Sequence, residues 1–384
     1  MDAAELRSRR LFAQGLRGEA DPAAPVGTAA EVVRRSLAVQ AQEYLPAQWG
    51  LAQRIAPAAR PDAAAVAGAI DGGEILRTHV LRPTWHFLHR DDARWVIGLS
   101  AERVHRANGT MYRQTGVAAD TAARCLDVLA AAVAGGRHRT RGELAEELAA
   151  ADLPSTSVGL AYAIMHAELE RVLISGAGRG AQRTYAAFDE RVPPAPDRPR
   201  GEALAELAER FLLTRGPASA KDLSTWSGFT LNDSRAALLE AAERTGGRIE
   251  RVAGEDDLWL DQAVAAAWSA RPAERARADD DASIVDLVQA YDEVIMGYAA
   301  PRSFLQPPGR APVMSEFPLH AMLAGGVMAG RWAPAVRGRR ATVRIVPWRR
   351  MTRAELRSRD ARIAEVEAFL GRPVDLEVEP VAPA

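Results

Sequence analysis

The stretch LAVQAQEYLPAQWGLAQR sets two carboxamides, Gln40 and Gln42, on either side of Ala41. Neutral amides supply neither an acidic proton nor a covalent handle; they offer a carbonyl that can hold a water and a dipole that can face a developing cation. Whether the two act together depends on the backbone. Gln40 continues the apolar stripe of Val33 and Leu37 at i, i+4 and i+7, so on an unbroken helix it faces the core and Gln42 lies about 200° away. If the helix instead ends near Val39 and the chain extends, residues i and i+2 point the same way and the amides converge. Pro46 a few residues on makes such a break plausible. On spacing alone, a pair of satisfied structural glutamines is the simpler reading, because a buried amide without partners costs roughly 1–3 kcal/mol.

A second polar cluster, Thr84-Trp85-His86, follows Arg82-Pro83. A tryptophan in a strand is more often core, and a lone histidine is more often structural than a base. His86 and His89, three apart on a strand, point to opposite faces, which counts against a metal pair. No histidine spacing supports a metal, and no cofactor is expected. Lys221 is the sole lysine, so arginine supplies every other side-chain cation. Beyond Lys221 and the terminal amine nothing can form a Schiff base.

The chain must position these groups with 384 residues, 49 Lys+Arg against 50 Asp+Glu, and a net charge of −1. At 48% hydrophobic it is long enough for two or three cores. The single cysteine, Cys125, excludes an intramolecular disulfide and a cysteine-built iron–sulfur or zinc centre. MDAAELRSRR has no apolar core and the longest apolar run is short, so the expectation is a cytoplasmic protein with no membrane partner.

Helix starts are marked by Ser/Thr-x-x-Asp/Glu at Thr28/Glu31, Thr140/Glu143, Ser219/Asp222, Thr230/Asp233 and Thr352/Glu355. From Thr121 to Phe188 the periodicity predicts three helices, 121–134, 142–151 and one carrying Val158, Tyr162, Met165, Leu169 and Val172. A hairpin with the glycine-rich turn SGAGRG follows; this order reads as a winged helix. Arg179 and Arg183 lie at its tip, where a wing meets a phosphate backbone. After the linker PPAPDRP the order repeats: helices 202–213, 220–226 and 231–244, then strands at 249–252 and 258–260, with an acidic wing, GEDD, that suits a structural copy. Helices at 3–14 and 29–39, a helical stretch at 61–69, and strands 75–81 and 84–88 are compatible with a third copy. The expected division is 1–118, a winged-helix-like unit carrying Gln40 and Gln42; 119–192 and 200–265, two winged helices; and 280–384, a β-rich region with a closing helix at 353–370. The fold class is α+β, mainly α. Arg331 to Arg353 holds eight arginines and no acid, Arg339 and Arg340 among them. A phosphate contact and a solvated strand surface are both compatible with it. Asp279, Asp280 and Asp281 read as a polar linker, with Asp286, Asp292 and Glu293 just beyond.

LAVQAQ, VLRPTWHFL, GPASAKDLSTWSGFTLNDSRAALLE, AYDEVIMGY and GGVMAGRW, in that order over most of the chain, resemble the bacterial winged-helix DNA glycosylases of the AlkZ-like family. The resemblance implies three winged helices around a DNA-sized channel, in which a Gln-x-Gln motif removes alkylated bases and unhooks interstrand crosslinks. The matching residues are Gln40 and Gln42. A related branch carries an acid at the second position, and this chain departs from it. The implied partner is double-stranded DNA containing alkylated purines, with no obligate protein partner. Arg82, Trp85, His86, Arg179, Arg183, Arg339 and Arg340 are the expected DNA contacts. The competing expectation is a non-enzymatic winged-helix regulator, against which the segment PSTSVGLAYA offers few base-reading side chains. A purely structural protein predicts no salt-dependent DNA affinity.

Overall fold

The computed structural model describes residues 1–18, 26–118, 120–255, 257–271, 282–307 and 319–381, about half of them helical. Asp279 to Asp281, and Asp256 of the acidic wing, lie outside the described residues. Among the described residues no helix is long and apolar enough to cross a membrane.

The first half of the chain runs α1 (Ala3–Ala13), α2 (Ala29–Ser36), β1 (Ala38–Gln40), α3 (Tyr44–Ala52), α4 (Ala63–Asp71), β2 (Ile75–Val80), β3 (Thr84–His89) and α5 (Arg90–Thr115). It continues α6 (Asp120–Val133), β4 (Arg139–Thr140), α7 (Arg141–Ala150), α8 (Ser157–Leu169), β5 (Leu173–Ser175), β6 (Thr184–Ala187) and α9 (Phe188–Arg191). The second half is α10 (Arg200–Arg215), β7 (Ala218–Ser219), α11 (Ala220–Ser227), α12 (Leu231–Arg244), β8 (Ile249–Arg251), β9 (Leu258–Asp261), α13 (Gln262–Ser269), β10 (Val285–Val288), α14 (Glu293–Met296), β11 (Ala321–Ala324), β12 (Val327–Arg337), β13 (Arg340–Pro347), α15 (Arg353–Leu370) and β14 (Val374–Val378).

Capping chemistry explains why many of these helices start where they do. Thr140/Glu143, Ser219/Asp222 and Thr352/Glu355 each close a reciprocal capping box. Thr28 and Glu31 exchange the same bonds, and the Thr230 hydroxyl accepts from the Asp233 N–H. Such a cap is worth about 1 kcal/mol.

Two compact units emerge, each assembled from segments distant in sequence: residues 1–36, 43–66 and 205–384 form one, residues 37–42 and 67–204 the other. The second unit holds two three-stranded sheets, ordered β1-β3-β2 and β4-β6-β5. Its core gathers Cys125, Leu129, Val133, Leu144, Leu148, Leu160 and Ile164 from α6, α7 and α8. The 26-residue helix α5, which periodicity does not announce, packs on α8 and β2. Expected and observed helices differ at α8. It ends at Leu169, short of Val172, and Val158 is exposed while Leu160, Ala163 and Ile164 face the core.

The first unit repeats the pattern with a sheet ordered β7-β9-β8, so all three small sheets place the first strand beside the third. It also carries a five-stranded sheet, β10 through β14 in order. The helix expected to close the chain is followed by a strand: β14 pairs parallel to β13, and α15 is the crossover between them. Gly325 and Gly326, both with positive φ, make the tight turn from β11 to β12. The acids of this region are internal. Asp286 pairs with Arg17 at 2.6 Å, Asp292 with Arg54 at 2.7 Å and Glu293 with Arg215 at 2.7 Å, while the Trp226 indole N–H donates to Glu293 at 2.9 Å. AYDEVIMGY is thus a buried ion-pair motif.

Candidate active site

Helix α2 stops at Ser36 because Leu37 turns left-handed, with φ 66°. For a leucine this conformation costs roughly 1–2 kcal/mol, and Leu37, wholly buried, is held there by its packing. The chain then extends as β1, with Gln40 opposite His86 of β3, and the ladder continues one residue further as the Ala41 N–H donates to the Trp85 carbonyl at 2.8 Å. The helix thus breaks and the chain is extended through Gln40, while Gln42 lies in the bend just beyond the strand. Helix α3 follows at once, and Pro46 sits in its first turn, where a missing N–H costs nothing.

Both glutamine carbonyls are engaged by one segment, 82–85. Gln40 is 2% exposed and its Oε1 accepts from Arg82 Nη2 at 2.7 Å. Gln42 is exposed, and its Oε1 accepts from the Trp85 N–H at a long 3.4 Å. That segment is itself tightly turned. Leu81 has φ 59° and its N–H donates to the Ser100 hydroxyl, while the Thr84 N–H reaches the Arg82 carbonyl at 2.6 Å around Pro83. A left-handed leucine thus precedes β1, and another follows β2.

Beneath the turn lies a polar assembly that spacing did not reveal. Arg77 of β2 donates from Nε to the Ala41 carbonyl at 3.0 Å and from Nη2 toward the Gln42 carbonyl at 3.4 Å. Its guanidinium lies 4.0 Å from the centre of the Trp85 ring, and the His79 ring is centred 3.8 Å from that indole. His79 Nδ1 in turn meets Glu168 Oε2 of α8 at 2.5 Å. Glu168 is fully buried, and burial raises its pKa against the opposing pull of His79. The available signal was two ionisable residues, Arg77 and His79, at i and i+2 in the apolar strand ILRTHV.

The expected DNA contacts distribute unevenly. Arg82 and Trp85 join the glutamine turn as half-buried side chains. His86 corrects the expectation: it is 0% exposed, faces inward on the central strand and cannot touch a ligand at the surface. Arg179 and Arg183 are exposed in the β5–β6 loop of the same unit, with Arg179 paired to Glu143 at 2.7 Å. That pairing, then the Thr140 N–H, pulls the Glu143 pKa down to about 2. Arg339 sits exposed at the β12–β13 turn of the other unit, and Arg340 beside it is bound to Asp375, with Nε to Oδ2 at 2.9 Å. Lys221 is exposed on α11, outside the unit that carries the glutamines.

A model of the family described as "DNA glycosylase AlkZ-like" matches residues 33–372, both glutamines and most of both units included. The chain belongs to the AlkZ-like DNA glycosylase family. Membership classes it as a DNA N-glycosylase with DNA as its substrate partner. The solved structure of Streptomyces sahachiroi DNA glycosylase AlkZ superposes with a TM-score of 0.70 at 20% identity, covering 98% of this chain and 99% of that one. That likeness is one of fold. No curated protein matches the chain in sequence.

Proposed function

We propose that this AlkZ-like chain is a monofunctional glycosylase for cationic N-alkylated purines, with Gln40 and Gln42 as its catalytic amides. The observation that carries the reading is the shared anchorage of both side-chain carbonyls on the segment 82–85, Gln40 buried at the end of β1 and Gln42 open to solvent just beyond it. In this reading the three helix-and-hairpin assemblies are winged helices lining a DNA-sized channel, and Arg82, Trp85, Arg179, Arg183, Arg339 and Arg340 meet the duplex.

An N7-alkylated purine carries positive charge, so the C1′–N9 bond breaks with both electrons passing to the base, which leaves neutral. No general acid is needed. What remains is an oxocarbenium-like sugar and a water that must attack C1′ and release its proton to solvent. Gln42, exposed, orients that water through its carbonyl, and the buried Gln40 carbonyl, held by Arg82 in the free chain, turns to the sugar as Arg82 moves onto the duplex. An ordinary purine, whose departure requires protonation, finds no acid among these groups, which spares undamaged DNA. A crosslink through two alkylated purines presents the same cationic leaving group and is unhooked by the same step. With a single lysine in the chain, the product is an abasic site with its backbone intact.

Duplex DNA containing 7-methylguanine, incubated with the full chain, is expected to yield heat-labile abasic sites and free 7-methylguanine by mass spectrometry, with no borohydride-trapped adduct. Removing either amide is expected to cost on the order of 10²-fold in rate. Full excision by a Gln40→Ala, Gln42→Ala double variant eliminates the assignment. A footprint on one defined sequence with no base release would instead favour the regulator.

A further inference from the structure

Where α5 crosses the end of α8, His105 meets His166 and Glu170, which lie one turn apart on α8 and its C-cap, and the donor atoms of all three lie within 4.8 Å of one another. The two imidazole rings are centred 4.8 Å apart. His105 Nδ1 is already engaged, 2.9 Å from the Tyr112 hydroxyl, which the Asn108 amide also approaches at 3.5 Å. His105 Nε2 is therefore the nitrogen turned toward the other two groups. Glu170 Oε1 stands 3.0 Å from it, yet off the direction of a hydrogen bond, so the buried Nε2 has no hydrogen-bond partner. His166 Nδ1 is likewise buried without one. An unpartnered His166 nitrogen and a His105 nitrogen that meets its carboxylate out of alignment are costly in a half-buried place, where such atoms ordinarily find a well-aligned partner.

We infer that His105, His166 and Glu170 form a binding site for a divalent transition cation of the zinc type, one that clamps α5 to the C-terminal end of α8. Two imidazoles and one carboxylate make a donor set that favours Zn²⁺, Co²⁺ or Ni²⁺ over Mg²⁺ or Ca²⁺. Tetrahedral coordination asks for donors roughly 3.3–3.5 Å apart, within reach of small side-chain rotations from the present positions. Tyr112 supplies the outer contact that orients a ligating imidazole, and the exposed side of Glu170 leaves the fourth position to water. The negative end of the α8 dipole adds attraction for a cation. The site is independent of the glutamine turn and needs no DNA.

The untagged full chain, stripped with chelator and dialysed, is titrated with Co²⁺ and then with competing Zn²⁺. One equivalent of Co²⁺ with visible ligand-field bands, displaced by Zn²⁺, is expected, together with a higher melting temperature. His166→Gln and Glu170→Gln are each expected to weaken binding by at least ~10-fold, and His138→Gln to leave it unchanged. Glu170 is exposed, so its variant keeps the test decisive even if His166→Gln fails to fold. Absence of stoichiometric binding by the wild type, or binding of equal strength in the Glu170→Gln protein, overturns the site.

Discussion

Arg77→Met removes the guanidinium that fastens the glutamine turn from below while keeping a side chain of similar length. Arg77 is 8% exposed and bonds the Ala41 carbonyl at 3.0 Å, so its loss forfeits a charge-assisted bond of about 1.5–3 kcal/mol. The cation–π contact with Trp85, 4.0 Å from the ring centre, adds about 0.5–2 kcal/mol. The longer contact to the Gln42 carbonyl, at 3.4 Å, contributes little. Together these predict a loss of about 3 kcal/mol in the unit of residues 37–42 and 67–204. For a cooperative unit of that size the corresponding fall in Tm is about 6–12 °C, read by scanning calorimetry. Excision of 7-methylguanine, assayed well below the melting range, should show kcat reduced by about 10-fold or more with KM for DNA nearly unchanged, because a buried Arg77 holds the amides in place without reaching a phosphate. A variant that melts lower yet turns over at the wild-type rate refutes the link between this anchor and catalysis. An unchanged Tm refutes the energetic argument itself.

Glu168→Gln tests the buried couple with His79. Because burial raises the Glu168 pKa, its contribution to stability is full below the unfolded value and fades as pH rises through the folded one. The wild-type minus variant Tm difference should therefore shrink or change sign from pH 4 to pH 8 in thermal scans, and a flat difference contradicts the shift. Glu293→Gln leaves Arg215 buried beside a neutral partner and should cost about 3–5 kcal/mol by denaturant titration, while excision by the fraction that stays folded is retained. Arg183→Ala and Arg339→Ala, at exposed hairpin positions, should each flatten the salt dependence of DNA binding by about 0.9 in log–log slope, and His86→Ala should not. Glu143→Gln, which releases Arg179 from its pairing, should tighten DNA binding several-fold in a fluorescence titration, and weaker binding would remove Arg179 from the interface.

Local chemistry made much of the fold readable. Thr140 with Glu143, Ser219 with Asp222 and Thr352 with Glu355 mark helix starts because a cap is satisfied within three residues of chain. The strands flanking Pro83 and SGAGRG stand close to their expected limits for the same reason. Helix α5 escaped because Asp91, Asp92, Glu102, Arg103 and Arg106 dilute its apolar face, and only packing against α8 and β2 makes it pay to form.

The sequence by itself determined the Gln-x-Gln motif, the near-absence of lysine and hence the kind of chemistry within reach, since these are properties of residue identity. Tertiary structure alone decided which amide is buried and which faces solvent. It made that choice by turning Leu37 left-handed and pairing Gln40 with His86, whose position is set by long-range register. It also drew Arg77, His79 and Glu168 beneath Trp85, and His105, His166 and Glu170 onto one crossing. Pairings of this kind depend on burial and on which strands and helices meet, and neither is written in the spacing along any one of them.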